Sequence, residues 1–137
     1  MNCKILKIIL ISFLLIILLP LISFGEVTYP EPSDKFYIND FADVIDDEVE
    51  NLIAENGNAL EEKTEAQIVL VTVNFTDGIS IDEYAAELFN KWKLGSAEKN
   101  NGLLILLSIG DEDYWAVQGK GLEVSLTSGE ISQILFD

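Results

Sequence analysis

The sequence predicts an α/β fold, a three-layer α/β/α sandwich around a small mixed sheet. Three observations predict it. Residues 68–73 and 103–109 are continuous apolar runs, too short for buried helices, and read as strands covered on both faces. Between them Ile81, Tyr84, Ala85, Leu88 and Trp92 recur at helical spacing. That makes a strand–helix–strand unit with parallel strands and a right-handed crossover. The short turn at 110–113 then forces residues 114–118 back antiparallel, because parallel neighbours need a long connection.

Taken in order, residues 1–7 hold Lys4 and Lys7 and no acid, and residues 8–19 are apolar but for Ser12. Pro20 breaks the run, and Ser23-Phe24-Gly25 offers small residues at −3 and −1, the layout of a secretory signal cleaved after Gly25. An uncleaved anchor is the other reading, since residues 8–24 reach the short edge of the ~17–25 residues a spanning helix needs. Either way Lys4 and Lys7 stay inside and the remainder is exported. A lipoprotein does not fit, because Cys3 precedes the apolar run. Residues 26–35, with Pro30 and Pro32, read as a polar linker. The domain is expected over 36–137.

Asp46 is placed to cap a helix over 47–63, with Asp47 and Glu48 in the dipole-favoured first turn. Val49, Leu52, Ile53, Asn56 and Leu60 give it a helical period, and Gly57 weakens it by about 1 kcal/mol relative to Ala. After the Asp77-Gly78 turn, Ser80 and Glu83 have the spacing of a capping box, and Gly95 is placed to end that helix. Trp92 and Phe89 read as core; Trp115 reads as either buried or a surface contact. Thr127 and Glu130 form a second capping-box pair, opening a helix through Ile131, Ile134 and Leu135. It runs into Asp137 without a stop signal, so the domain is expected to be incomplete at its C-terminus.

Composition narrows the chemistry. The chain has 8 lysines, no arginine, no histidine and 24 acids, a net charge of −16. Loss of residues 1–25 would remove two lysines and no acid, leaving −18. Such a surface repels a phosphate backbone, so no nucleic-acid partner is expected. Without His the commonest general base and zinc ligand are gone, and Cys3 alone allows no disulfide, metal cluster or nucleophile. Carboxylates, lysines, hydroxyls and backbone remain.

The topology gathers the loop acids at one pole, beyond the C-terminal ends of the parallel strands, where open α/β sheets bind ligands. Asp77, Asp111, Glu112 and Asp113 fall there, with Asp43 and the helix start at Asp46 and Asp47. Asp40, Asp77, Asp111 and Asp113 are candidate ligands for a hard cation, calcium or magnesium, which takes carboxylate and carbonyl oxygens. Solvated loop acids are the alternative, and no EF-hand spacing is present. The opposite pole collects Asn100-Asn101-Gly102 and Gly119-Lys120-Gly121, with Lys120 its one candidate cation. Gly119 and Gly121 read either as an anion-approaching backbone or as strand-ending glycines at positive φ.

Four segments in order, Tyr37-Ile38-Asn39-Asp40-Phe41-Ala42, Lys91-Trp92-Lys93-Leu94-Gly95, Asn100-Asn101-Gly102 with the apolar run behind it, and Gly119-Lys120-Gly121-Leu122-Glu123, resemble the TPM domain family over about 36–137. That family includes bacterial exported membrane proteins and the plant thylakoid-lumen photosystem II repair protein. The resemblance implies an α/β/α fold, divalent-cation binding in some members and a proposed acid phosphatase activity in others. It carries the motif positions onto Asn39, Asp40, Asn100, Asn101, Gly102, Gly119, Gly121 and Glu123, and adds Asn101 to the candidate cation ligands. Two departures stand out: position 100 is Asn where many relatives have Asp, and residues 114–118 lack the Arg many relatives carry. The expected function is an exported, non-catalytic module that binds a divalent cation and meets a membrane or envelope protein, its oligomeric state open. The alternative is a metal-assisted acid phosphatase acting on phosphate monoesters.

Overall fold

The computed structural model describes residues 27–136. The segment read as a signal, residues 1–25, and Asp137 lie outside them. Over the described residues the fold is α/β: a four-stranded mixed sheet with three α-helices. Strands β1 (Ile38–Asp40), β2 (Gln67–Val73), β3 (Gly102–Ser108) and β4 (Asp113–Gln118) lie side by side in chain order. β1, β2 and β3 are parallel and β4 is antiparallel to β3. One row, Ile38, Leu70, Ile105 and Ala116, crosses the whole sheet in register.

The helices are α1 (Asp47–Thr64), α2 (Ile81–Trp92) and α3 (Ser128–Phe136), with a 3-10 turn at Lys120–Leu122. Strand alternation turns Val69, Val71 and Val73 to one face of the sheet with Leu104 and Leu106. There they pack on the α2 stripe of Ile81, Tyr84, Ala85, Leu88 and Trp92, and this is the core. Each buried Val, Leu or Ile among them contributes about 1.5–3 kcal/mol on burial. Residue 57 must be Gly for a packing reason: a methyl group there would strike the Tyr37 ring. That contact offsets the helix cost of glycine.

The structure corrects three local expectations and adds one strand that the sequence did not show. β1 has no counterpart in the periodicity, because three residues carry no readable period; its pairing with Leu70–Thr72 makes it a strand. Residues 27–35 are not a free linker. Val27 and Tyr29 pack on the core, the Tyr29 ring lies tilted against Tyr84 with centroids 4.8 Å apart, and the Trp92 indole N–H donates to the Pro30 carbonyl at 2.9 Å. Asp46 and Ser80 occupy the expected cap positions, but neither side chain makes the cap hydrogen bond. Ser80 instead bonds the Asp82 carboxylate, which it holds below its ordinary pKa, so no Ser80–Glu83 box forms. α2 ends on Lys93 in the left-handed region rather than on Gly95, whose φ of +82° serves the next turn. The Thr127–Glu130 box does form: the Glu130 carboxylate accepts from the Thr127 N–H at 2.8 Å, and the Glu130 N–H donates to Thr127 Oγ1 at 3.3 Å.

Candidate functional site

The C-terminal ends of β1, β2 and β3 open into three loops, residues 41–46, 74–80 and 109–112. The predicted acids are there, and Asp40 belongs to this pole. Each loop turns on an acidic residue in the left-handed region: Asp43 (φ 55°), Asp77 (φ 54°) and Glu112 (φ 54°). Gly would adopt that backbone about 1–2 kcal/mol more cheaply.

The two best-placed carboxylates are occupied in holding these loops. Asp40 Oδ2 accepts from the N–H groups of Val44 at 2.8 Å and Ile45 at 2.7 Å, and its Oδ1 accepts from the Thr72 hydroxyl. It thereby ties the end of β1 to the entry of α1. Asp111 Oδ2 accepts from Ser108 Oγ at 2.6 Å, from the Thr76 N–H at 2.9 Å and from Thr76 Oγ1 at 3.2 Å. The Ser108 hydroxyl first, then the Thr76 amide, hold its carboxyl below the usual carboxylate range. One latch thus joins the β2–α2 loop to the β3–β4 turn.

Linkage gives this latch a pH dependence. A carboxylate whose folded pKa is depressed stabilises the fold above its ordinary pKa, and that contribution is lost as pH falls through the folded value. Wild type is therefore expected to lose more stability than Asp111→Asn on acidification below about pH 4. Thermal melts from neutral to acid pH check this, and parallel curves for the two proteins would refute it.

Asp40 and the β3–β4 turn are two strand spacings apart, about 10 Å. Asp111 and Asp113 are nearer neighbours. Both line a cleft of about 410 Å³ with Thr76, Gly78, Ile79 and Ser80. Asp113 also accepts from the Tyr114 N–H at 2.9 Å. Asp77 lies on the adjacent exposed loop. Among the described residues, no three acids come together as a metal-holding group.

The motif residues are clamps on the backbone. Asn39, 1% exposed, accepts from the Ser33 N–H at 2.6 Å and donates to the Phe36 carbonyl at 2.7 Å. Asn39 and Asp40 so fasten the chain on either side of β1. At the opposite pole Asn101, 6% exposed, accepts from the Ser96 N–H at 3.0 Å and donates to the Glu65 carbonyl at 2.7 Å. Asn100 is exposed with φ 48°, and its carbonyl accepts from the Gly121 N–H at 2.9 Å. Glu123 is exposed beside the 3-10 turn, and Lys120 is exposed within it.

Neither Gly119 nor Gly121 is among the glycines at positive φ, which are Gly78 and Gly95. Both are glycine because three segments converge: a Cβ at 119 would run into the Asn100 carbonyl and one at 121 into the Lys99 carbonyl. Gly102 meets the Leu94 carbonyl in the same way, at 2.6 Å. The Gly119 N–H closes this corner on the Gly102 carbonyl at 2.8 Å. Gly121→Ala is expected to cost about 1–3 kcal/mol by overpacking against backbone that cannot rotate away. Urea unfolding measures it, and a variant within error of wild type would show that this corner is slack.

Sequence reasoning missed a polar network beside the Asn101 clamp. The Tyr37 hydroxyl donates to Glu61, whose other oxygen accepts from Gln67 Nε2 at 2.9 Å; Gln67 Oε1 accepts from the Gly95 N–H at 2.7 Å. It borders a cleft of about 610 Å³ where Lys99 pairs with Glu65. Burial, then Glu61, push the Tyr37 phenol up to about 12 from 10.0. A raised folded pKa stabilises below the unfolded value and fades as pH rises through the folded one. The stability gap between wild type and Tyr37→Phe is therefore expected to narrow between pH 10 and about 12. Base titration of both proteins by circular dichroism tests it; a constant gap would contradict it. The sequence signal was faint: a Tyr at the start of the Asn-Asp segment and a Gln at the start of an apolar strand.

Solved structures share this architecture. The N-terminal domain of a protein from P. gingivalis superposes with a TM-score of 0.68 at 24% identity, covering 74% of this chain and 64% of that one. The chain thus spans just under two thirds of that relative's length. The N-terminal domain of a protein from Corynebacterium glutamicum gives a TM-score of 0.57 at 15% identity, covering 81% of this chain and 73% of that one. At these identities the likeness is one of fold. No curated protein matches the chain. The model of the TPM domain matches residues 38–137, the stretch that holds all four strands and the clamp residues Asn39, Asp40, Asn101 and Asp111, and the chain belongs to that family.

Proposed function

We propose that this is an exported, non-catalytic TPM domain that acts as a binding module, using the acidic loop pole to meet a membrane or envelope protein. The observation that carries the reading is the use of Asp40 and Asp111 as loop latches. A carboxylate that accepts two or three N–H and O–H donors is held in place and has little left for nucleophilic attack. Phosphoryl transfer also needs cations against its equatorial oxygens. The sequence has no Arg, and the three loops contain no Lys, so a bound metal would have to supply all of that charge. Export is supported by the signal-like residues 1–25. Among the described residues no helix is long and apolar enough to cross a membrane.

A divalent cation belongs to this reading as a ligand. Asp111 and Asp113 share the 410 Å³ cleft, with Asp77 on the neighbouring loop, and calcium or magnesium would take their carboxylates with loop carbonyls. Asp40 has both carboxylate oxygens in its latch and Asn101 both amide atoms in its clamp, so they are weaker candidates; the Asp111 latch bonds all fall on Oδ2, which leaves Oδ1 for the cation. The test is a phosphate-monoester assay and a thermal melt of the full chain, each with calcium, magnesium or chelator. The reading expects no turnover, and stabilisation by the cation that is reduced in Asp113→Asn. Metal-dependent turnover abolished by Asp40→Ala would overturn it in favour of a metal-assisted acid phosphatase.

A further inference from the structure

The same three loops carry four of the nine exposed large apolar residues among the described ones, Phe41, Val44, Phe75 and Ile109. Phe41 follows β1 directly, Phe75 lies two residues past β2, and Ile109 follows β3 directly. They are 40%, 58% and 39% exposed, and Val44, in the first of the loops, is 52% exposed. The segments are held together: the Phe41 N–H donates to the Thr72 carbonyl at 3.1 Å, and the Ile109 N–H to the Val73 carbonyl at 2.9 Å. Phe75 lies across Gly110, where any side chain would meet its ring. Large apolar side chains on one rigid edge are the usual anchors of an interface.

Charge selects the occupant. Asp40, Asp43, Asp46, Asp77, Asp111, Glu112 and Asp113 stand among these apolar residues, and no lysine falls in residues 40–46, 74–80 or 109–113. All six lysines from residue 26 onward lie elsewhere, at 35, 63, 91, 93, 99 and 120. A second copy of this pole would set carboxylates against carboxylates, a juxtaposition that costs several kcal/mol. An anionic bilayer surface would be repelled for the same reason.

We infer that the loop pole docks a polypeptide segment with an apolar centre flanked by Lys or Arg, its centre on Phe41, Phe75 and Ile109 and its flanks on the surrounding acids. This rests on the binding-module reading and names the partner's chemistry. It also accounts for acids at 43, 77 and 112, where the backbone is cheaper for Gly: the charge is what the position supplies.

Fluorescence anisotropy with the full chain tests it. The probes are a labelled peptide with a Leu-Phe-Ile-Leu centre between paired lysines, the same centre between paired glutamates, and the lysine flanks around a Ser-Gly centre. The lysine-flanked apolar probe is expected to bind, weakening with salt, and the other two at least about tenfold more weakly. Phe41→Ser with Phe75→Ser is expected to cost about tenfold or more. Asp43→Asn with Asp77→Asn and Glu112→Gln is expected to weaken binding and flatten its salt dependence, with the thermal midpoint retained. Asn tolerates the left-handed backbone and Gln matches the shape of the Glu already there, so this second variant stays folded. Equal binding of the glutamate-flanked probe, no binding of the lysine-flanked probe up to about 1 mM, or unchanged affinity in both variants would overturn the inference. So would preferential binding to phosphatidylglycerol vesicles, or self-association lost in the Phe41/Phe75 variant. Phosphate-monoester turnover is a separate readout and bears on the module reading alone.

Discussion

Asn101→Leu is expected to destabilise the protein by about 2–4 kcal/mol, because two partly buried backbone groups lose their partners at once. The Asn101 side chain bridges the Ser96 N–H, in the α2–β3 connection, and the Glu65 carbonyl, in the α1–β2 connection, which are otherwise distant in sequence. Leu is close in size, so the loss reports hydrogen bonding more than cavity formation. Each orphaned group costs about 1–3 kcal/mol. Asn101→Asp separates the clamp from a cation role. It keeps the acceptor for Ser96 but turns an oxygen toward the Glu65 carbonyl, so it is expected to be destabilised with or without calcium. If Asn101 were chiefly a cation ligand, the added carboxylate would bind calcium more tightly and recover stability in its presence. Urea unfolding with calcium or chelator distinguishes the two.

These clamps explain why much of the fold was legible in sequence and the site was not. α1, β2, α2, β3 and the hairpin each have a period, an apolar run or a turn of their own, and the structure contains them at the expected places. β1 has only Ile38–Asp40, and its strand character comes from the hydrogen-bond partner it finds in β2. The docking of residues 27–36 depends on Tyr84 and Trp92, about sixty residues away, which no local pattern encodes. Capping shows the same limit: Asp46 and Ser80 occupy the cap positions, but which donor each side chain finds is decided by its neighbours.

Glycine is ambiguous in sequence for a related reason. Gly78 and Gly95 supply positive φ, whereas Gly119 and Gly121 supply room for a passing carbonyl. One letter answers two physical demands, and only the path of residues 99–102 tells them apart. Topology correctly sent the acids to one pole, yet it could not show that Asp40 faces the amides of residues 44 and 45 or that Asp111 faces Thr76. The apolar residues Phe41, Phe75 and Ile109 had a readable signal, large side chains at or just past the ends of the parallel strands, and reading for acids alone passed over them.

The most direct test of the central claim, that the acidic motif residue at the end of β1 is a structural latch, is urea unfolding of Asp40→Ala against wild type in chelator and in calcium. Removing it strips acceptors from the Val44 and Ile45 amides and the Thr72 hydroxyl. Hydrogen bonds to a charged acceptor contribute about 1.5–3 kcal/mol each where buried and less where exposed. The account predicts a loss of about 2–4 kcal/mol, the same in both media. Wild-type stability in chelator, combined with loss of a calcium-dependent gain, would contradict it and return Asp40 to the role of a cation ligand.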